Sequence, residues 1–236
     1  MISITLISDL HGYKPKLEGG DLLIIAGDLT ASNAYSQYSD IFDWIEEQNY
    51  RKKIVVAGNH DMFIEEENYK GPQGKQFDYL CDSGIEFEGF KIWGSPWQKQ
   101  FVGQNPNCTA FSLPLESQLE EKWNLIPDET DILITHCPPY GILDEDGFKG
   151  ERCGSDTLLH RVKQIKPYLH VFGHIHHSYG MKKKRWFKPM KEMVDSVVYH
   201  SPVTTFVNAA QMDERYRAIN KPIRIELKND DEPRHS

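Results

Sequence analysis

The side chains that could do chemistry in this 236-residue chain are gathered in five short clusters: Asp9-Leu10-His11, Gly27-Asp28, Gly58-Asn59-His60-Asp61, Thr135-His136 and Gly173-His174-Ile175-His176. Carboxylate and amide oxygens beside imidazole nitrogens form a donor set that suits Mn, Fe or Zn better than thiophilic metals. In Asp-x-His and His-x-His just past a strand, both side chains can reach one centre, because extended positions two apart share a face. A single Asp or His at such a place is ordinarily a turn residue. The clusters together are different. Buried without a cation, they would leave repelling or unpaired polar groups at a cost of about a few kcal/mol. Metal ligation is therefore the reading of the set.

Each cluster follows an apolar run. Ser3 to Ser8 ends at Asp9, Leu22 to Ala26 at Gly27-Asp28, Ile54 to Ala57 at Gly58, Ile132 to Thr135 at His136, and Leu169 to Phe172 at Gly173. These runs do not alternate apolar with polar, which predicts strands buried on both faces in an α/β protein. In such proteins ligands collect beyond the carboxyl ends of the strands. Tyr38, Ile41, Phe42 and Ile45 share one face of an amphipathic helix, Leu115 to Leu125 form a second, and Ser155 caps a third that carries Leu158, Leu159, Val162 and Ile165 and stops at Pro167. Ile85 to Trp93 predicts a hairpin turning near Gly89, and Val197 to Tyr199, Thr204 to Asn208 and Ile223 to Leu227 predict late strands. The expected organisation is one domain over residues 1–228, with a mobile polar tail at 229–236.

Composition narrows the function classes. An apolar share of 39% supports a sizeable core and argues against disordered or fibrous chains. The formal charge of −8 disfavours a general nucleic-acid coat. The longest apolar run, Leu22 to Ala26, is far shorter than the roughly 20 residues of a membrane span. Asp9 and His11 interrupt the start where a signal peptide needs an apolar centre, and the four cysteines form no Cys-x-x-Cys pair. Both features predict a cytoplasmic protein with reduced thiols.

The order Asp-x-His, Gly-Asp, Gly-Asn-His-Asp, His, Gly-His-x-His resembles the complete five-block signature of the calcineurin-like metallophosphoesterases. Trp93-Gly94-Ser95-Pro96-Trp97, Lys122 to Pro127, Thr130 to Tyr140 and Leu169 to His176 further resemble a narrower branch, the metallophosphoesterase domain-containing proteins of animal brain and their microbial relatives. The resemblance implies a four-layer αββα sandwich of two mixed β-sheets with helices outside. It implies two divalent cations, Mn first, with Fe, Zn, Ni or Mg as other candidates. One would be held by Asp9, His11 and His176, the other by Asn59, His136 and His174, with Asp28 between. Two such cations, about 3.5–4 Å apart, can bind a phosphate ester and acidify a shared water to a bridging hydroxide that attacks phosphorus in line. His60 would donate to the phosphate or the leaving oxygen, with Asp61 orienting its imidazole. Some animal members carry glycine in place of the first His of Gly-His-x-His, which weakens their second metal; His174 is present here. The branch favours phosphodiesters, including 2′,3′- or 3′,5′-cyclic nucleotides, as substrates.

Outside the blocks, Tyr140 and Arg152 are placed beside the pocket, Arg152 as a two-pronged phosphate ligand and Asn59 and His60 with it on the substrate. His177 points away from its neighbour and is left out of the ligand set. Cys137 reads as a buried filler, and Trp93 and Trp97 as packing beneath the site. Lys182 to Arg185, followed by Trp186 and Phe187, reads as a solvated loop; a short RNA contact through 182–187 is the alternative, and a loop folded over the metals would attract an anionic substrate. A phosphomonoesterase or nuclease on the same site, and a nucleotide-binding scaffold with little turnover, stand as alternative functions. An amidohydrolase would carry its His-x-His first rather than last.

Overall fold

The structure, a computed structural model, describes residues 1–31, 34–67, 74–100, 105–187 and 202–228. One sheet is built from β1 (Ile2–Ile7), β2 (Gly20–Ala26), β3 (Tyr50–Val56), β4 (Asp78–Tyr79) and β13 (Ile223–Leu227), in the order β13-β1-β2-β3-β4. The other contains β5 (Ser83–Phe87), β6 (Phe90–Ser95), β9 (Ile132–Thr135), β10 (Leu169–Phe172), β11 (Gly180–Arg185) and β12 (Val203–Asn208), in the order β11-β12-β10-β9-β6-β5. The interior strands are parallel, while β13, β11 and β5 are antiparallel edges. A separate pair joins β7 (Gln98–Lys99) to β8 (Ser112–Leu113).

The apolar runs are continuous because every central strand is covered twice. Ile4, Leu6, Leu22, Ile24, Ile54 and Val56 face the second sheet, where they meet Ile92, Ile132, Ile134, Leu169 and Val171. The alternate residues Ile7, Leu23, Ile25 and Val55 face outward, against Tyr38, Ile41, Phe42 and Ile45 of α1 (Tyr35–Glu47). Leu133, Phe172 and Phe206 of the second sheet meet Leu119 and Trp123 of α3 (Glu116–Trp123) and Leu158, Val162 and Ile165 of α4 (Asp156–Ile165). The result is the four-layer αββα sandwich, with the period of two in each strand serving two cores.

Local chemistry sets the ends of the elements. Ser155 Oγ accepts the Leu158 N–H and Lys166 closes α4 in the left-handed region before Pro167. Glu88 and Gly89, both at positive φ, make the two-residue turn between β5 and β6. A short helix, α2 (Met62–Glu66), follows Asp61 without having been visible in the periodicity. No helix among the described residues is long and apolar enough to cross a membrane.

The basic run differs from its expected loop. Lys182 to Arg185 lie in β11, which pairs antiparallel with β12 from Gly180↔Asn208 to Arg185↔Val203. That register carries the lysines away from the carboxyl end of β12 instead of folding them back over it. Trp186 is buried against Phe206 and donates its indole N–H to Thr204 Oγ1 (2.8 Å), so its face is taken. Lysines on an exposed edge strand also discourage pairing with another chain. The strand expected at Val197 to Tyr199 and the tail at 229–236 lie outside the described residues.

Candidate metal centre

The five clusters meet at one rim because the strands that carry them are parallel within each sheet and the sheets are joined there. The Ser8 N–H donates to the Ala209 carbonyl (2.9 Å), linking the chain beyond β1 to the chain beyond β12. The Gly173 N–H donates to the His136 carbonyl (3.1 Å), and Asn208 Nδ2 donates to the Ile175 carbonyl (2.8 Å), supporting the loop that holds His174 and His176. Asp9, His11, Asp28 and His174 all adopt positive φ, a strained conformation for residues with a Cβ. Two glycines permit the close approach. A Cβ on Gly58 would strike the Asp28 carboxylate and the His136 ring, and one on Gly173 would strike Asp9 and Ser8.

On one side, Asp9, His11 and His176 bring one donor atom each within 4.8 Å of one another. His176 Nδ1 donates to the Asp213 carbonyl (3.0 Å), which turns its Nε2 toward Asp9 Oδ1 (3.3 Å). On the other side, Asn59 Oδ1 lies 3.0 Å from His136 Nε2 and 2.8 Å from His174 Nδ1, while Asn59 Nδ2 donates to the Cys108 carbonyl. His136 Nδ1 donates to the Ala26 carbonyl (2.9 Å), so its Nε2 faces inward. Asp28 stands between the two sets, with Oδ1 3.4 Å from His136 Nε2 and Oδ2 3.8 Å from His11 Nε2.

Electrostatics follow from burial and pairing. Burial opposes ionisation of Asp9, but its bond to His176 and the charges of His176 and His136 hold it down at about 2. Asp28 is buried too, and its histidine neighbours, His136 foremost, hold it well below the usual carboxylate range. Burial alone would lower His136, yet Asp28 raises it to about 9; Asp9 likewise raises His176 against its burial. Burial brings His11 to about 4 and His174 to about 3.

These residues fit a pair of divalent cations. Both ring nitrogens of His11 are buried and have no hydrogen-bond partner among the described residues, a deficit of about 1–3 kcal/mol per group that a cation would relieve. The convergence of Asn59 Oδ1 with two imidazole nitrogens, and of Asp28 toward both sides, provides two adjoining sets of N and O donors. The backbone carbonyls behind His136 and His176 fix their tautomers, as supporting groups at metal sites do.

Several expected roles change. Asp61 does not orient His60. Its buried carboxyl accepts the N–H groups of Gly58 (2.8 Å) and Leu29 (3.1 Å) and the Tyr38 hydroxyl, tying the β3 loop to the β2 loop; burial and the charge of Asp28 push it up to about 7. His60 instead places Nδ1 3.3 Å from Cys108 Sγ and Nε2 4.0 Å from Asp28 Oδ2. Arg152 is not among the described residues lining the cleft; buried Asp144 (3.0 Å) and Glu145 (3.3 Å) occupy its guanidinium. Tyr140, 40% exposed, follows the Pro139–Ser155 bridge, donates its N–H to the Ser155 carbonyl (3.0 Å) and is not among the described residues lining the cleft. His177 pairs with Glu214 (2.6 Å) and lines the cleft without joining either ligand set, and Cys137 is buried, with burial raising its thiol to about 12.

The cleft over this rim has a volume of about 430 Å³, and besides the clustered residues it is lined by Cys108, Asp146, Phe148, Glu214 and Tyr216. Tyr216 sets its ring edge-to-face on His11 (4.9 Å), His176 (5.4 Å) and His60 (6.1 Å). None of these five was foreseen. They lie on irregular segments, with no spacing that marks them.

The calcineurin-like phosphoesterase family matches residues 2–178, and the chain belongs to it, among the metal-dependent phosphoesterases. Human metallophosphoesterase domain-containing protein 1 is 37% identical to it, with 94% of this chain and 69% of the human protein covered. A UPF0046 protein of Caenorhabditis elegans, C25E10.12, is 32% identical over 92% of this chain and 76% of its own. Among solved structures, the TT1561 protein of Thermus thermophilus shares the fold at 17% identity and a TM-score of 0.54, covering 88% of each chain.

Proposed function

We propose that the chain hydrolyses phosphodiesters, nucleotide-derived ones in particular and cyclic nucleotides among them, with two divalent cations, Mn²⁺ foremost. In this reading Asp9, His11 and His176 would hold one cation and Asn59, His136 and His174 the other, with Asp28 between the two sets. Bound there, the pair would polarise the ester oxygens and acidify an attacking water. The chain's own residues do the rest. The carbonyls of Ala26 and Asp213 keep the Nε2 lone pairs of His136 and His176 turned inward. His60 Nε2, at the mouth of the rim, gives a proton to the leaving oxygen while Cys108 steadies the opposite side of the ring.

The observation that carries the preference for diesters is the lining of the cleft. Among its described residues there is no Lys or Arg, and Asp146 and Glu214 are present. A monoester carries about −1.5 to −2 at pH 7, and it would meet those carboxylates with only the cations to offset them. A diester carries a single charge, and its second substituent can use the apolar and aromatic wall.

A panel of cyclic nucleotides, an acyclic diester, the matching monoester and a short single-stranded RNA, each with Mn²⁺, Ni²⁺, Zn²⁺ and Mg²⁺, tests this. The expected result is a diester turned over at least about 10-fold better than its monoester, with His136→Ala reducing the rate at least about 100-fold. A monoester preference, or no turnover beside tight nucleotide binding, would overturn it.

A further inference from the structure

His170 lies in β10, belongs to none of the five clusters and is fully buried. Leu169 and Val171 point into the core between the sheets, so His170 and Phe172 point the other way, toward α3 and α4. Its ring lies against those of Phe172 (5.1 Å) and Phe206 (5.7 Å). An imidazole is an expensive filler there. Nδ1 is buried and has no hydrogen-bond partner among the described residues, and burial brings the ring down to about 3, so it is neutral. A methionine would fill the space without a bare lone pair. What an apolar residue lacks is the second nitrogen. His170 Nε2 lies 2.9 Å from Thr135 Oγ1, and that hydroxyl lies 2.6 Å from the Cys137 carbonyl. A carbonyl can only accept, so the one hydroxyl proton of Thr135 goes to Cys137. Thr135 Oγ1 then accepts the Nε2–H of His170, which leaves Nδ1 bare, in agreement with its missing partner.

This directed chain ends around His136. The Thr135–Cys137 bond closes the backbone over the residue between them, and the carbonyl of that residue accepts the Gly173 N–H (3.1 Å). Strand β10 therefore grips the His136 turn twice, through His170 and through the glycine at its end. From that turn the imidazole reaches the Ala26 carbonyl with Nδ1 and Asn59 Oδ1 with Nε2. We propose that His170, acting through Thr135, is a positioning residue for the second cation set, fixing the turn that aims His136 Nε2. It touches neither cation nor substrate. A histidine that costs stability is kept in the core because its Nε2–H orients the hydroxyl that holds a ligand in place. The proposal rests on the two-cation reading and extends it to a residue behind the rim.

Calorimetric titration of the metal-stripped full chain with Mn²⁺, beside thermal melts in EDTA, tests it. His170→Met is expected to weaken the weaker of the two sites by about 10- to 100-fold and to leave the tighter one unchanged. Thr135→Val should show the same loss, with little more in the double variant, because both break one chain of bonds. His170→Gln, whose side-chain N–H can stand where Nε2–H stood, should restore the site. The Tm of metal-free His170→Met is expected at or above that of the wild type, since the bare nitrogen is gone. Unchanged affinity in His170→Met, a loss that His170→Gln does not restore, or a loss matched by a lower Tm overturns the proposal. Amide hydrogen exchange in EDTA needs no cation: the Gly173 N–H should exchange on the order of 10-fold faster in His170→Met, with the β9–β10 ladder unchanged. Equal protection of Gly173 in the two proteins also overturns it. A wild type that binds a single Mn²⁺ would sink the two-cation reading alone, and the exchange result would then decide whether His170 holds the His136 turn.

Discussion

Asp9, His11 and His176 on one side of Asp28, and Asn59, His136 and His174 on the other, offer the same number of donor side chains but different charge. The first set has a carboxylate of its own, kept ionised near 2 by His176. The second has only the neutral amide of Asn59 and draws on carboxylates outside it, Asp28 first and then Asp9, whose donor atoms lie within 4.8 Å of one another and of His136. Asp28 in turn draws a proton onto His136, raised to about 9, and Asp9 draws one onto His176, so a cation entering either set displaces a proton. The first set, with a carboxylate of its own, is therefore expected to be the tighter site and the second the weaker one. With both filled, two divalent charges exceed the two carboxylates, and a rim in a chain of −8 becomes attractive to a phosphate anion.

The largest effect should come from the residue the two sets share. Asp28→Ala removes the carboxylate that stands between the sets, with Oδ1 toward His136 and Oδ2 toward His11. Its loss in kcat/KM on a diester should exceed that of Asn59→Ala or His11→Ala, each confined to one set, and should exceed the about 100-fold that loss of a supporting group at a metal site can cost. Circular dichroism would confirm that the variant is folded. A loss no larger than that of the single-set variants would mean that the sets act independently.

A smaller effect separates the sets by pH. In metal-free protein His136 is raised from 6.5 to about 9, so its pairing with Asp28 stabilises fully below about 6.5 and is lost as pH rises through about 9. Asp9, lowered from 3.8 to about 2, stabilises above about 3.8 and loses its effect as pH falls through about 2. The Tm of EDTA-treated protein should therefore fall by several °C, on the order expected for a few kcal/mol, between pH 6.5 and pH 9.5. Mn²⁺-loaded protein, in which His136 is already deprotonated, should show a flatter profile. A flat profile for both forms would contradict the charge assigned to His136.

The strand ends were readable from residue order because Leu22 to Ala26 and Leu169 to Phe172 are buried on both faces, so each apolar run stops where the chain leaves the sheet. The same double burial hid the partition into two sheets: Ile24 faces one core and Ile25 another, yet both are simply apolar. The five-block likeness supplied the sandwich that this pattern could not. Asp61 was misread because neighbours in sequence need not be partners in space; its carboxyl is drawn inward by the Gly58 and Leu29 N–H groups. Arg152 was misread because Asp144, eight residues earlier, is buried and takes the charge. Lys182 to Arg185 read as a loop because an edge strand carries its charges outward. Tyr216 and Cys108 left no trace in periodicity, since irregular segments bring them to the imidazoles.

The central claim is that this rim holds two cations in unequal sites, and metal content measures it directly. After dialysis against excess Mn²⁺ and removal of free ion, the wild type is predicted to retain close to two ions per chain. His174→Ala, with Asp9, His11 and His176 intact, is predicted to retain close to one. A wild-type value near one, or no difference between the two proteins, would contradict the account.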